Sequence, residues 1–141
     1  MPLKLQAEIG LLSQIREYAI DTATALGVTS EAFLDLRLAI DEAITNILTH
    51  GYGGPGEIEL DLSVADSDLV VRLRDKAPTF DPALSPSVDL TTPDQRENPG
   101  GFGVFLMKSA MDEIVHRKIE DGNELTMIKR DVIDDAQTPA K

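Results

Sequence analysis

The sequence predicts an α+β fold, a two-layer sandwich in which a mostly antiparallel sheet is covered on one face by helices. The chain has 141 residues, 42% of them hydrophobic and 27% charged, which suits one compact domain with its own core. Two segments in the first third carry the three- and four-residue apolar spacing of amphipathic helices. Later segments alternate apolar and polar residues in adjacent pairs, which favours hairpins over the single strands of a parallel sheet.

The first elements follow from the spacing of apolar side chains. Residues 2–8 alternate apolar and polar side chains, which predicts a first strand. Residues 9–26 repeat apolar side chains at helical steps, which predicts a helix. A second helix begins after Thr29 or Ser30, either of which can act as its N-cap, and it ends at Gly51. The apolar stripe of this second helix comprises Phe33, Leu36, Ile40, Ile44 and Ile47.

The middle of the chain predicts a hairpin followed by a long loop. Alternating runs at residues 58–64 and 69–73 form the hairpin, and residues 65–68 connect them. Residues 76–101 are rich in Pro, Ser, Thr, Asp and Gly. A loop of this length inside a compact domain usually has a function, so we interpret it as a mobile lid.

The last third predicts one more helix and one more hairpin. The helix passes through Val104, Met107 and Met111, and the hairpin pairs residues 114–119 with 125–128 across Asp121-Gly122-Asn123. We expect residues 134–141 to form a disordered tail.

Charge and composition exclude several classes of function. Lys and Arg number 13 against 25 Asp and Glu, so the formal net charge is −12, which opposes binding to nucleic acid or to an anionic membrane. The chain has no cysteine, which excludes disulfides, thiolate nucleophiles and cysteine-based zinc sites. No apolar run approaches the roughly 20 residues that cross a bilayer. We therefore expect a cytoplasmic protein that binds neither nucleic acid nor membrane.

Three polar residues of the second helix are candidates for chemistry. Glu42, Asn46 and His50 follow one another at four-residue steps and share one face beside the apolar stripe. This face is open to two interpretations. It is either a solvated surface or a site in which an amide oxygen binds Mg²⁺ while a carboxylate orients or deprotonates a nucleophile.

Two later segments offer ligand contacts. Asp75 ends a strand where the chain enters the long loop, and a buried carboxylate there can accept a hydrogen bond from an exocyclic amine. An aspartate shortly before Pro78 is also an ordinary turn former. Residues 98–103, Asn-Pro-Gly-Gly-Phe-Gly, lead into the third helix, so their bare N–H groups can form an anion cradle or an ordinary turn.

Taken in order, these segments resemble the Bergerat-fold ATPase superfamily of gyrase, heat-shock chaperones and histidine kinases. Within it, the likeness is greatest to the anti-sigma serine kinases of bacterial partner-switching systems. The matching segments are residues 36–52 for the N box, 75–82 for the first glycine box, 101–107 with 111–114 for the second, and 122–125 for the closing strand. The resemblance covers nearly the whole chain and implies a single histidine-kinase-like ATP-binding domain over residues 1–133.

The resemblance implies a role for each candidate residue near the adenine and the metal. Glu42 would be the catalytic carboxylate that activates the attacking hydroxyl, and Asn46 would bind Mg²⁺. Asp75 would hold the adenine amino group, and Ala77 would let the backbone approach the base. Asn123 would lie near the adenine pocket, where relatives often have Thr.

The resemblance also assigns the phosphate contacts. Gly100, Gly101 and Gly103 would wrap the phosphates with neighbouring lid backbone. Some anti-sigma kinases place an arginine directly before this segment to meet the γ-phosphate. In this sequence Pro99 stands near that place, and Arg96 is the nearest arginine.

Two functions follow from the resemblance. The first is an ATP- and Mg²⁺-dependent serine/threonine kinase that phosphorylates a small antagonist protein and sequesters a sigma factor or another regulator. The second is a non-catalytic module that binds nucleotide and sequesters a regulatory partner. Glu42 favours the kinase, because a purely structural nucleotide site needs no base beside the metal ligand. The resemblance also implies a possible homodimer.

Overall fold

The computed structural model describes residues 2–78 and 106–134, and these form one five-stranded antiparallel sheet with helices. The strands are β1 Leu3–Ala7, β2 Gly56–Ala65, β3 Asp68–Asp75, β4 Glu113–Ile119 and β5 Gly122–Lys129, in the spatial order β1-β2-β3-β5-β4. The helices are α1 Leu12–Ala25 and α2 Phe33–Asn46, and residues 106–110 are also helical. The predicted fold class is confirmed. Within the described residues, every helix is too short or too polar to cross a membrane.

The start of α2 differs from the prediction. Neither Thr29 nor Ser30 caps it through its side chain, because a 3₁₀ turn, Ser30–Ala32, leads into the helix. The N–H of Ala32 donates to the carbonyl of Thr29 at 3.1 Å, so the backbone of the turn provides a partner that a side-chain cap would otherwise supply.

The end of α2 also has its own geometry. Beyond Asn46 the chain continues as a single π-helical turn, Ile47–Tyr52, rather than ending at Gly51. Gly53 closes this turn in the left-handed region with φ of 74°, which glycine adopts without steric cost. A π turn of this kind is often found at functional sites.

The predicted turn of the last hairpin is wrong by one to two residues. Residues 120 and 121 form the turn, whereas Gly122 and Asn123 belong to β5 and pair with Ile119 and Lys118. The same two β5 residues lie beside the end of β3, where Asn123 is opposite Asp75. Pairing with β3 therefore extends β5 into a segment whose local sequence favours a turn.

The core lies between the helices and one face of the sheet. In β2, buried and half-buried residues alternate from Gly56 onward, as the apolar alternation predicts. The buried cluster joins side chains of both helices with those of the strands. Its fully buried large members include Ile15, Leu36, Ile40, Ile44, Leu60, Leu73 and Met127.

The opposite face of the sheet carries charges that alternate in sign from strand to strand. Lys4, Glu59, Arg74, Glu124 and Arg117 are successive cross-strand neighbours over all five strands. Arg74 Nε donates to Glu124 Oε2 at 2.7 Å, and Arg117 Nη2 donates to Glu124 Oε1 at 2.8 Å. These bonds fix β3, β5 and β4 against one another one residue away from Asp75 and Asn123.

The end of the described chain is attached to the loop before α2. Val28 and Ile133 form an antiparallel bridge, and the N–H of Asp134 donates to the carbonyl of Gly27 at 2.8 Å. Asp134, where the disordered tail was predicted to begin, is therefore hydrogen-bonded to the domain. Residues 135–141 lie outside the described residues.

Candidate functional site

Asp75 lies at the end of β3 with its side chain buried in the domain. The residue is 7% exposed, and its Oδ1 accepts hydrogen bonds from the N–H of Ala77 at 2.9 Å and from Asn123 Nδ2 at 3.0 Å. Burial raises the pKa of Asp75 above its ordinary value, although these two bonds and the nearby His116 act in the opposite direction. Among the described residues both bonds end on Oδ1, which leaves Oδ2 to accept a hydrogen bond from a ligand.

The end of α2 packs against the segment that follows Asp75. A Cβ added to Gly51 would lie 3.0 Å from the Cβ of Ala77, so a larger residue at either position would push the two segments apart. Tyr52 joins the same segments, because its hydroxyl donates to the carbonyl of Glu57 at 2.6 Å and accepts from the N–H of Lys76 at 2.7 Å. The fold thus brings the N-box helix and the Asp75–Ala77 segment together.

Asn123 completes the surroundings of Asp75. It is 3% exposed, and its Nδ2 also donates to the carbonyl of Ala77 at 3.1 Å. On its other side, Asn123 Oδ1 lies 3.0 Å from His116 Nε2. Gly122 allows β5 to lie this close to the end of β3, since a Cβ there would collide with the backbone oxygen of Asp75.

Asn46 is buried on α2 with part of its amide unsatisfied. The residue is 3% exposed, and its Nδ2 has no hydrogen-bond partner among the described residues. Rotation of the amide by 180° would place Oδ1 at the same point, so either a donor or an acceptor can be presented there. A buried amide atom without a partner is costly and is a usual feature of a position that a ligand satisfies.

Glu42 lies one helical turn before Asn46 on the same face of α2, and its side chain is half-buried. Burial, followed by the charge of the adjacent Asp41, raises the pKa of Glu42 above its ordinary value. Asp41 Oδ1 itself lies 3.2 Å from Arg16 Nε of α1. A carboxylate with a raised pKa is better suited to accept a proton near neutral pH than an ordinary one.

A family model described as the histidine kinase-like ATPase domain matches residues 5–129. The chain belongs to the histidine kinase-like ATPase family. Curated relatives narrow this membership to serine-protein kinases named RsbW. RsbW of Bacillus licheniformis is 32% identical over 127 residues, which cover 82% of this chain and 78% of the relative. RsbW of Bacillus subtilis and RsbW of Listeria monocytogenes are each 31% identical over 119 residues, covering 79% of this chain and 74% and 75% of the relatives.

Two solved structures share the fold at low sequence identity. The RsbU and RsbW domains of Rv1364c from Mycobacterium tuberculosis match with a TM-score of 0.58 and 15% identity. That match covers 92% of this chain and 32% of the other, so this chain spans about a third of that protein. Histidine kinase AdeS of Acinetobacter baumannii matches with a TM-score of 0.52 and 10% identity over 92% of this chain and 68% of the other. These likenesses show the fold alone.

The described residues can be tested for their fit to the nucleotide that a family of ATPases implies. Asp75 offers a free acceptor atom in a buried setting, which fits a ligand that has a hydrogen-bond donor. Asn46 offers a buried amide atom without a partner, which fits a metal bound to that ligand. Within the described ranges, no group of three or more His, Cys, Asp and Glu residues is arranged to hold a metal. A magnesium ion here would therefore need phosphate oxygens and water for most of its six ligands, as is usual for this ion.

The structure brings some predicted site residues together and leaves others undescribed. Asp75, Ala77 and Asn123 form one hydrogen-bonded cluster, while Glu42 and Asn46 share a face of α2. The predicted phosphate-binding residues Arg96, Gly100, Gly101 and Gly103, and the predicted lid, lie outside the described residues.

Sequence reasoning missed two residues that support this cluster. His116 is not among the residues that the sequence assigns to the site, yet it contacts Asn123 of the neighbouring strand. In the sequence, Tyr52 is only the last residue of the N-box segment, yet its hydroxyl bonds to the backbone of Glu57 and Lys76. A sequence signal existed for His116, because its alternation with Ile114 places both residues on the inner face of β4, whereas the contact of Tyr52 depends on the π turn and has no local signature.

Proposed function

We propose that the chain is an ATP-dependent serine/threonine protein kinase that acts as an anti-sigma regulatory factor. In this proposal it has two protein partners. It phosphorylates a small antagonist protein, and it binds and sequesters a sigma factor or a similar regulator. The observation that carries the proposal is the Asp75 cluster, in which one carboxylate oxygen is saturated and the other is left to a ligand. Membership in the RsbW group supports phosphoryl transfer to serine. A sigma factor is a cytoplasmic protein, so the proposal places the chain in the cytoplasm.

Recognition of adenine rests on the Asp75 cluster. The free Oδ2 of Asp75 accepts a hydrogen bond from the exocyclic amine, and a base with a carbonyl at that position would meet a carboxylate with no proton to share. Gly51 has no side chain and Ala77 has only a methyl group, so the segment after Asp75 can pack close to the end of α2. The cluster therefore selects the base and fixes its position relative to α2.

Phosphoryl transfer requires positioning and charge neutralisation more than covalent chemistry. Magnesium supplies charge neutralisation on the phosphate oxygens when it is bound. Asn46 would contribute one oxygen ligand to it, which also satisfies the buried amide. Glu42, one turn earlier on α2, accepts the proton of the attacking serine hydroxyl. Burial, and then the charge of Asp41, raise the pKa of Glu42, which makes the carboxylate a stronger base than an ordinary glutamate.

The kinase proposal is tested by replacing Glu42 with glutamine. Glu42→Gln keeps the size of the side chain and removes the base, so ATP and partner binding should be retained while phosphoryl transfer falls by at least about a hundredfold. Asn46→Ala should lower both magnesium-dependent ATP affinity and transfer, because it removes a metal ligand. Rapid-quench assays with an antagonist protein, beside ATP titrations by calorimetry, measure both quantities.

A matched control is Glu31→Gln, since Glu31 is an exposed acidic residue in the turn before α2. This variant should transfer phosphate at the wild-type rate. If Glu42→Gln also transfers at that rate, Glu42 is not the base. If the wild type binds ATP and the partner but transfers no phosphate, the chain is the non-catalytic sequestering module.

A further inference from the structure

Three polar side chains form a hydrogen-bonded chain that runs from β4 through β5 to the end of β3. His116 Nε2 lies 3.0 Å from Asn123 Oδ1, and Asn123 Nδ2 lies 3.0 Å from Asp75 Oδ1. We call this series the 116–123–75 chain. His116 is two positions before Lys118, the residue directly opposite Asn123, so its contact reaches diagonally across the two strands.

The partners of Asn123 determine the orientation of its amide. Asp75 Oδ1 and the carbonyl of Ala77 are both acceptors, so the atom that faces them must be the donor Nδ2. Oδ1 then faces His116, and as it can only accept, the imidazole must donate from Nε2. The reverse orientation of the amide would oppose Oδ1 to a carboxylate and a carbonyl.

We propose that His116 is a positioning residue for ligand recognition: by donating to Asn123 Oδ1, it holds the amide in the orientation that fixes the Asp75 carboxylate toward the exocyclic amine of the ligand. This inference rests on the proposed function, in which that ligand is ATP. His116 touches no reacting atom. It acts through Asn123, which is buried and whose Nδ2 donates to two acceptors.

The close packing around the 116–123–75 chain explains why the Asn123 amide must be held in place. Gly122 lets β5 approach the backbone of Asp75 so closely that an added Cβ would lie 2.8 Å from the Cα of Lys76. Without its His116 contact the amide leaves Oδ1 without that donor, and in so tight a space Oδ1 can reach another donor only if the side chain of Asn123 shifts. A shift of Asn123 releases Asp75 Oδ1 and lets the carboxylate turn away from the ligand.

The test compares two nucleotides that differ only in the exocyclic amine. His116→Phe retains a ring and removes the donor, and we expect it to bind Mg·ATP about five- to tenfold more weakly than the wild type, as expected for one displaced hydrogen bond. Purine riboside triphosphate lacks the 6-amino group, so its affinity should be the same in His116→Phe and the wild type. His116→Gln restores a donor that can reach Asn123 and should recover most of the ATP affinity.

Val115→Phe is the matched control, because Val115 precedes His116 in β4, faces the other side of the sheet and is 47% exposed. It should leave both affinities unchanged. His116→Ala repeats the measurement without a ring if the phenylalanine disturbs folding, which thermal unfolding reports.

The outcomes separate this inference from the proposed function. Equal weakening of both nucleotides in His116→Phe and His116→Ala would show a merely structural role and overturn the inference, as would unchanged ATP affinity in both variants. A wild type that binds no ATP at millimolar concentration would instead overturn the proposed function, and the positioning role with it.

Discussion

Replacement of Asp75 by asparagine changes one oxygen to an amide nitrogen and tests adenine recognition directly. In the structure, Asp75 Oδ1 accepts hydrogen bonds from the N–H of Ala77 and from Asn123 Nδ2, and both partners are donors. The asparagine must therefore keep its own oxygen on that side. Its Nδ2 is then forced to face the ligand, where it meets the exocyclic amine as donor against donor.

The size of the effect follows from this forced orientation. The variant loses a charge-assisted hydrogen bond and leaves two donors opposed in a buried setting, which costs about 1.5–3 kcal/mol of binding free energy. This corresponds to roughly a 10- to 150-fold higher Kd for Mg·ATP. The fold itself should lose nothing, since both bonds to Ala77 and Asn123 are kept.

The difference in proton binding by Asp75 between the folded and the unfolded state determines whether Asp75→Asn raises or lowers the stability. Burial raises the pKa of Asp75 in the folded state, so the folded state binds the proton more tightly than the unfolded state does. Stability from this group is therefore present below the unfolded pKa and is lost as the pH rises through the folded pKa. Above the folded-state pKa the buried charge is a net cost, so the free energy of unfolding of Asp75→Asn, which carries no charge, should be equal to or higher than that of the wild type there.

Calorimetric titration with Mg·ATP and denaturant unfolding at pH 7 measure these two quantities on the same samples. Purine riboside triphosphate provides the control, because a ligand without the amine should lose much less affinity in the variant than ATP does. Wild-type ATP affinity in Asp75→Asn would refute the assignment of Asp75. Loss of ATP affinity together with a large loss of stability would refute the forced-orientation argument.

Two further predictions follow from the structure. Asp41→Asn removes the negative charge that helps to raise the pKa of Glu42, so the acid limb of the pH–rate profile for phosphoryl transfer should move to lower pH while ATP affinity stays unchanged. An unmoved acid limb would exclude Glu42 as the titrating base. Gly122→Ala should lower the free energy of unfolding by at least about 2 kcal/mol, because its Cβ would meet the backbone of Asp75 and Lys76. Gly54→Ala is the control in chemical denaturation, since among the described residues no atom beyond its chain neighbours lies within 4 Å of its added Cβ. Equal stability of the two variants would contradict the close approach at Gly122.

The sequence by itself determined the layers of the domain and the order of its candidate residues. Alternation over residues 58–64 and 69–73 placed Leu60 and Leu73 in the core, and the structure buries both completely. The helical spacing of Leu36 and Ile40 likewise determined which face of α2 is buried. These patterns are local, since a two-residue or a 3.6-residue period can be recognised within a few residues of chain.

Tertiary structure decided the features that depend on distant partners. The sequence Asp121-Gly122-Asn123 favours a turn, yet Gly122 and Asn123 join β5 because Asn123 bonds to Asp75, 48 residues earlier. The same pairing brings His116 into the cluster. The two ends of α2 likewise depend on how they pack. A 3₁₀ turn precedes the helix and a π turn extends it. The position of Gly51 against Ala77 requires one particular path of the chain through the π turn. A local pattern selects which residues are buried, but the hydrogen bonds that orient a buried carboxylate come from strands far apart in sequence, and only their pairing brings those donors within reach.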